Sequence, residues 1–414
     1  MINVVEGFSG IGAQTTALKM ANINHQVTNT IEWEVGAIFA YDILHNGPQD
    51  LSLYRHHTKE SLIKKISEYN ISNDGKSRIT PRGINFMSML QIKSILYSIE
   101  RNNNLVDIEK VNADSLPDEI DLFTYSFPCQ DLSVSSRWWK NDKGIRRDSG
   151  GQSSLLWEVE RILSEIKERS KDLPRFLLME NVNAILSPPH VGNFKEWISN
   201  LESYGYYNKI YTLNASKFGI PQNRVRTYMI SVWTGNKDKI NSSLDDYFLR
   251  NDLEEINLTK ESDTKLEEYL RLNYSNEKYR VEAIKSTPKN TPSRQKIFNS
   301  SVKLAIDDQV VFGEIARTIT TKQDRNPNSG IIVYDKEKLV VGRSYRNLTP
   351  RETFLLMGFN EESFDILMEN NIEVATNKLM LPDSKLLKLA GNSIVVDVLK
   401  EIFLQMEYIS NNIL

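Results

Sequence analysis

The chain has 414 residues, a formal net charge of −3 and 40% hydrophobic residues, so it exceeds one typical domain and a large domain with a smaller companion is expected. Its single cysteine excludes an internal disulfide, and one cysteine with five scattered histidines argues against a zinc site, so no metal is expected. No apolar run is long enough to span a bilayer and the opening MINVVEGF reads as a strand rather than a signal peptide, which gives an expectation of a cytoplasmic protein with no membrane partner.

In chain order, Asn3–Glu6 predicts a buried strand, "GFSGIGAQ" a tight glycine turn, Ala13–Met20 a helix and Val27–Glu32 a second strand. That opening is the nucleotide-binding half of a doubly wound, mostly parallel α/β sheet. Residues 46–105 are polar and helix-like in places, and read as an inserted helical excursion. Further strands are predicted at Ile120–Ser126, Phe176–Glu180, Tyr207–Leu213 and Tyr228–Val232, with helices over Leu155–Lys167 and Phe194–Tyr204. From 234 to 345 the βαβ alternation stops and Asn, Ser, Thr and charge rise, which predicts a smaller second domain. The end, "LKLAGNSIVVDVLKEIFLQ", predicts a glycine turn opening an amphipathic helix that returns to the first domain. The expected division is therefore 1–233, 234–345 and a hinge and return over 346–414.

The turn carries Gly7, Gly10 and Gly12, but Thr15 stands where the strict dinucleotide fingerprint has a third glycine. Glycine lets a ligand approach the backbone and its exposed N–H groups. "IEWE" then supplies Glu32, a carboxylate able to accept from both ribose hydroxyls, and Trp33, a flat face for adenine. Asp114 in "NADSLP" is the candidate for the adenine amino group. These residues do not distinguish a nicotinamide dinucleotide from S-adenosylmethionine.

Cys129 lies in "YSFPCQDLS", where an apolar run stops, with Pro128 before it and Gln130 after it. An inert structural thiol sits inside an apolar element, whereas a reactive one needs a polar, partly exposed site. "FLLMENVNAIL" puts Glu180 at the end of another apolar strand, on the same sheet edge as Cys129 if the strands are parallel. "QNRVR" sets Arg224 and Arg226 two apart, which alternation sends to one side. Two basic runs, Arg137–Arg147 and Lys278–Lys303, stand out against the acidic total and suit a phosphate-tracking surface.

Taken in order, "EGFSGIG", "IEWE", "SFPCQDLS", "MENV", "QNRVR", "ARTIT", "RNLTPRE" and "GNSIVV" resemble the DNA cytosine-5 methyltransferase family, bacterial and mollicute members above all, from Val4 to about Leu404. Glu6 and Ala13 depart from it, where Asp and Gly are common. The resemblance implies S-adenosylmethionine as methyl donor, S-adenosylhomocysteine as product, and attack of Cys129 on C6 of a flipped-out cytosine. It gives Glu180 to N3 and Arg226, with Arg224 beside it, to O2. The implied cofactor pocket is Phe8, Gly10, Gly12, Glu32, Trp33 and Asp114, with Pro128, Leu155 and Asn392. Duplex DNA is the implied partner, met by Gln130, Ser133, Ser135 and Arg137 of a loop closing over the base (Ser133–Gly151) and by Arg294 and Lys296 of a target-recognition domain. A monomer, accompanied by a restriction endonuclease acting on the same site, is the expected setting. The alternatives are an RNA cytosine-5 methyltransferase, which would keep the thiol and cofactor turn, and a dinucleotide-dependent oxidoreductase, which would leave Cys129, Glu180 and Arg226 without a role.

Overall fold

The computed structural model describes all residues except 130–131, 133–143, 148–149, 257, 259–264, 312–314 and 337. The chain divides into two units: Met1–Leu213 with Val225–Glu255 and Leu399–Leu414, and Asn214–Arg224 with Ile256–Val398. The division follows contacts rather than composition. The helix Asp238–Arg250, past the expected boundary at 233, belongs to the first unit, and the short segment 214–224 belongs to the second.

The first unit is built on β1 (Ile2–Gly7), β2 (His25–Ile31), β3 (Leu122–Tyr125), β4 (Phe176–Val182), β5 (Tyr206–Asn214) and β7 (Val225–Trp233); the two-residue β6 (Gln222–Asn223) lies in the second unit. The sheet order is β2-β1-β3-β4-β7-β5. Strands β1 to β4 run parallel and β7 is antiparallel to β4. The centre of the sheet is covered on both faces, so β3 and the start of β4 are apolar without alternation, as in LFTY and FLLM. The order reverses at β1, with β2 on one side and β3 on the other, and the carboxyl ends of these strands (Gly7, Ile31, Tyr125) share one edge in register. A crevice at that reversal is where open α/β sheets bind ligands.

Helix Leu156–Glu168 buries Leu156, Trp157, Val159, Ile162, Leu163 and Ile166, one stripe at helical spacing. Its Trp157 meets Trp197 edge-on at 6.0 Å, and Trp197 meets Tyr125 of β3 at 5.9 Å and donates to its hydroxyl at 3.1 Å. This aromatic chain ties the helical layer to the sheet at the end of β3.

The sequence between α2 (Val35–Asn46) and β3 forms the expected helical excursion, with α3 (Lys59–Ile66), α4 (Pro81–Asn85) and α5 (Met89–Arg101). Thr58, Thr80 and Ser88 cap the three helices by accepting from backbone N–H groups. Its root is Asp42, fully buried, which accepts from Arg101 Nε at 2.7 Å, Gln49 Nε2 at 2.8 Å and Asn102 Nδ2 at 2.9 Å. Several donors on one buried carboxylate are what make it tolerable.

The second unit holds a four-stranded sheet, ordered β12 (Tyr345–Asn347), β11 (Ile331–Val333), β8 (Lys303–Ile306) and β9 (Gln309–Val310), and the parallel pair β6 with β10 (Ala316–Arg317). "LTPRE" forms a capping box: Thr349 accepts from Glu352 N, and Glu352 accepts from Thr349 N. The same Glu352 carboxylate takes two bonds from Arg346, at 2.7 and 2.8 Å, with both side chains fully buried. Contrary to expectation, Gly391 is not in a turn: it lies in the last turn of helix Asp383–Asn392. A Cβ there would lie 2.5 Å from the Thr320 carbonyl carbon, so close packing, not chain reversal, demands glycine. The final helix is Val396–Asn412.

One buried charge leads to a test. Glu6 is fully buried, and burial raises its pKa from 4.5 to about 7 although Thr15 Oγ1 donates to it at 2.6 Å. A carboxyl group with a folded pKa above its unfolded one binds more protons when folded, so its contribution is favourable at low pH and is lost as pH rises from 4.5 through 7. Replacing Glu6 by Gln should shift the stability difference toward the variant by about 2–3 kcal/mol between pH 5 and pH 8. Denaturant unfolding of both proteins at the two pH values checks this; a pH-independent difference would refute it.

Candidate active site

The carboxyl edge of β1, β3 and β4 collects the chemistry of the first unit. After β3 the chain leaves the sheet as Ser126–Cys129, and two buried groups fix that exit. Asn181 of β4 donates from Nδ2 to the Phe127 carbonyl at 3.0 Å, and Ser153 Oγ donates to the Pro128 carbonyl at 2.7 Å. Cys129 follows directly, half-buried, and its carbonyl accepts from Leu132 N at 3.0 Å. Its thiol is thus neither inside an apolar element nor on an open surface. Asn181 and Ser153, which the sequence did not single out as positioning groups, hold its loop from two directions.

The β4–β7 register brings Glu180 and Arg226 together. Glu180 pairs across with Tyr228 and Val182 with Arg226, so Glu180 and Arg226 are diagonal neighbours on one face. Arg226 Nε lies 3.4 Å from Glu180 Oε1, with side-chain exposures of 16% and 12%. Arg224 does not join them. It lies in the second unit, and its guanidinium donates to the carbonyls of Ile319 at 3.0 Å, Gly391 at 3.2 Å and Ser393 at 2.7 Å. The alternation that suggested a shared side is broken because β6 ends at Asn223 and β7 starts at Val225, leaving Arg224 between two strands. Its observed contacts are those of a scaffold.

The glycine turn after β1 is held at several points. Phe8 has φ 55° and donates from its backbone N–H to Ile31 O at 2.8 Å. Gly12 has φ 76°, and a Cβ there would come within 2.1 Å of His45 Nε2. At Gly10 a Cβ would meet nothing within 4 Å, which leaves open space above the turn. Glu32 spans it: Oε2 accepts from Gly10 N at 3.1 Å and Oε1 from Glu34 N at 2.8 Å. Burial raises the Glu32 pKa from 4.5 to about 7, against the opposing pull of those backbone donors. Half-buried Trp33 follows, and half-buried Phe8 and Leu155 pack against one core cluster that includes Phe127. Glycine backbone, open space, a two-oxygen acceptor and an indole form a donor set that fits an adenosyl group.

Asp114 is not part of this set. It is exposed and ion-paired with Arg169, which caps the far end of helix Leu156–Glu168. The segment that starts at Asn104 meets the end of β2 instead. Asn104 bonds reciprocally with the Glu32 backbone at 3.0 and 3.1 Å, Leu105 N donates to Thr30 O, and Asp107 lies two residues on, half-buried and capping a short 3-10 turn. The signal for it in the sequence is the Asp that starts "DIEK".

Gln130, Ser133, Ser135 and Arg137, and most of the predicted closing loop, lie outside the described residues. In the second unit Asn392 is exposed at the end of its helix. Lys296 is exposed on helix Pro292–Ser300, whereas Arg294 of that helix donates to Arg325 O at 3.2 Å. Among the described residues there is no group of three or more side chains able to hold a metal ion, and no helix long and apolar enough to cross a membrane.

Residues 89–408 match the family model "C-5 cytosine-specific DNA methylase". The chain is 31% identical over 409 residues to the type II methyltransferase M2.ScrFI of Lactococcus lactis subsp. cremoris, covering 97% of this chain and 98% of that one. It is 32% identical over 405 residues to the orphan methyltransferase M.SssI of Spiroplasma monobiae, covering 97% and 96%. Among solved structures it shares its fold with the S. pombe Dnmt2 methyltransferase at a TM-score of 0.59 and 17% identity, over the full length of both chains.

The positions of Asn181 and Ser153 carry their own test. Asn181→Ala and Ser153→Ala each release one side of the Cys129 loop. Each is expected to lower kcat by about 10²-fold, the cost of roughly 1 Å misplacement, while cofactor affinity stays within about threefold. Steady-state methyl transfer with a separate cofactor titration reads both.

Proposed function

The chain belongs to the C-5 cytosine-specific DNA methylase family and is a DNA cytosine methyltransferase of the restriction-modification type; from that premise we propose that it methylates C5 of a cytosine extruded from a short duplex site, through a covalent bond from Cys129 to C6. The observation that carries this is the pairing of a fixed, half-buried thiol at the end of β3 with the Glu180–Arg226 pair at the end of β4. C5 of cytosine is a weak nucleophile until a thiolate adds to C6, which pushes the ring electrons toward C5 and N3. Glu180 then hydrogen-bonds N3 and Arg226 holds O2, the two atoms where negative charge gathers. S-adenosylmethionine, when bound, supplies the electrophilic methyl group. Once C5 is methylated, loss of its proton drives out the Cys129 thiolate, restores the 5,6 double bond and returns the enzyme unchanged. The base must leave the helix for this, at a cost of a few kcal/mol.

For the cofactor, Glu32 is the acceptor for the ribose hydroxyls, Trp33 the face for adenine, and Asp107 takes the place first given to Asp114 at the adenine amino group. Phe8, Gly10, Gly12, Pro128 and Leu155 shape the pocket. That unit, with Arg294 and Lys296, is assigned to choosing the DNA sequence. A restriction endonuclease sharing the site is the expected companion.

The decisive test is base-resolution methylation sequencing of plasmid DNA from cells expressing the protein or its Cys129→Ala variant. A short motif carrying 5-methylcytosine with the wild type alone is expected; full methylation by the variant would refute the covalent mechanism. A second test uses Glu32. Ribose hydroxyls donate to an ionised carboxylate, so binding is strongest above the group's pKa of about 7 and weakens below it. The apparent Kd for S-adenosylmethionine should rise on the order of tenfold from pH 8 to pH 6, and Glu32→Gln should bind weakly with no such slope. Calorimetric titration at the two pH values distinguishes the outcomes.

A further inference from the structure

The helical excursion has no role in the chemistry described, yet its charge is unusual. From 46 to 105 it carries nine Lys or Arg against five Asp or Glu, in a chain of net charge −3. Within it, the turn Ser72–Arg78 is fixed to the edge where the site lies. Ser72 N donates to Trp33 O at 2.7 Å, and Val35 N donates to Ser72 O at 2.8 Å, so the turn continues from the end of β2. On its other side Gln152 Nε2 donates to Gly75 O at 2.9 Å, and the next residue, Ser153, is the one that holds Pro128 beside Cys129. A short hydrogen-bonded path thus connects the turn to the thiol loop.

The turn is closed by its own side chain–backbone bonds and its cations are exposed. Asp74 Oδ1 accepts from the backbone N–H groups of Lys76 at 2.9 Å and Ser77 at 3.1 Å, and Ser72 Oγ accepts from Gly75 N at 3.0 Å. Lys76, Arg78 and Arg82 are all exposed. Among the described residues none of the three has a carboxylate partner, whereas Lys65 of the same lobe is paired with Glu100. Arg82 lies 5.7 Å from the ring centroid of Phe86, which is 76% exposed. Lys59 Nζ donates to Asn85 O at 3.1 Å, which ties α3 to this patch. Beyond one long bond from Arg78 to the Ser67 carbonyl at 3.4 Å and the contact of Arg82 with Phe86, these cations are spent on nothing inside the protein. Their chemistry suits a row of phosphates.

Resting on the DNA methyltransferase reading, we propose that the Ser72–Arg78 turn with Arg82 is a second duplex contact, in which Lys76, Arg78 and Arg82 hold the phosphate backbone of the substrate DNA outside the methylated site. Such contacts position without reading sequence, and each phosphate neutralised adds about 0.9 to the slope of log affinity on log salt.

The test compares wild type, the triple variant Lys76→Ala/Arg78→Ala/Arg82→Ala, and a charge-matched control, Lys237→Ala/Lys239→Ala/Arg250→Ala, on a helix elsewhere in the first unit. Fluorescence anisotropy with a random 40-base-pair duplex from 50 to 200 mM salt gives the slopes, and cofactor titration checks that each variant is folded. The turn variant should lose about 2–3 from the slope, so that its disadvantage against wild type shrinks about 40-fold across that range. The control should keep the wild-type slope, and the methylated motif should be the same for all three. An unchanged slope in the turn variant, or an equal loss in the control, overturns the proposal. If wild type methylates plasmid DNA while the turn variant keeps its slope, only the second contact falls. If wild type neither binds nor methylates duplex DNA, both fall together.

Discussion

The pairing of β4 with its antiparallel neighbour β7 is the constraint on which the site depends. Parallel strands alone bring the ends of β1, β3 and β4 to one edge, and so deliver the glycine turn, Cys129 and Glu180. They cannot deliver a cation, because the strand that carries Arg226 must enter the sheet from that edge rather than leave by it. Running β7 backwards lets its first residues lie beside the last residues of β4, and the register Val182 with Arg226 sets the guanidinium diagonal to Glu180. A slip of one residue would turn Arg226 to the opposite face.

The same edge shows how backbone groups are used to fix functional ones. The Cys129 loop has no regular structure of its own, yet the carbonyls of Phe127 and Pro128 are taken by Asn181 and Ser153. The glycine turn is likewise held by Glu32 through Gly10 N and by the His45 ring packed under Gly12. In both places a loop is made to behave like part of the scaffold, which is what a reaction sensitive to sub-ångström placement needs. Charge burial accompanies this. Glu6 precedes the turn and Glu32 accepts from its Gly10 N–H, and burial raises the pKa of both.

The second unit solves a different problem. With short strands and many turns it has little sheet to organise it, and it relies on buried ions. Glu352 caps its own helix, accepts from Arg271 N at 2.8 Å and pairs with Arg346, while Arg351 engages Glu282, Glu361 and Asp365. Such networks are costly to break and leave one arrangement favoured. Arg224 belongs to this class too, its guanidinium spent on backbone carbonyls.

Most of the architecture was legible in the chain itself. Apolar runs ending at Glu6, Ser126 and Glu180 marked the parallel strands, because a strand covered on both faces cannot alternate. The residues where those runs stop marked the site, because strand ends are where backbone leaves the core. Cys129 and Glu180 were singled out that way, whereas Arg226 was singled out from the spacing in "QNRVR" before a strand. What periodicity cannot convey is where a side chain goes once the chain has left a regular element. Arg224 and Arg226 are two apart in sequence but fall in different units, Asp114 turns away to Arg169 while Asn104 bonds the Glu32 backbone, and Gly391 serves packing instead of a turn. These outcomes were decided by contacts between residues tens to hundreds of positions apart, which only the folded chain brings together.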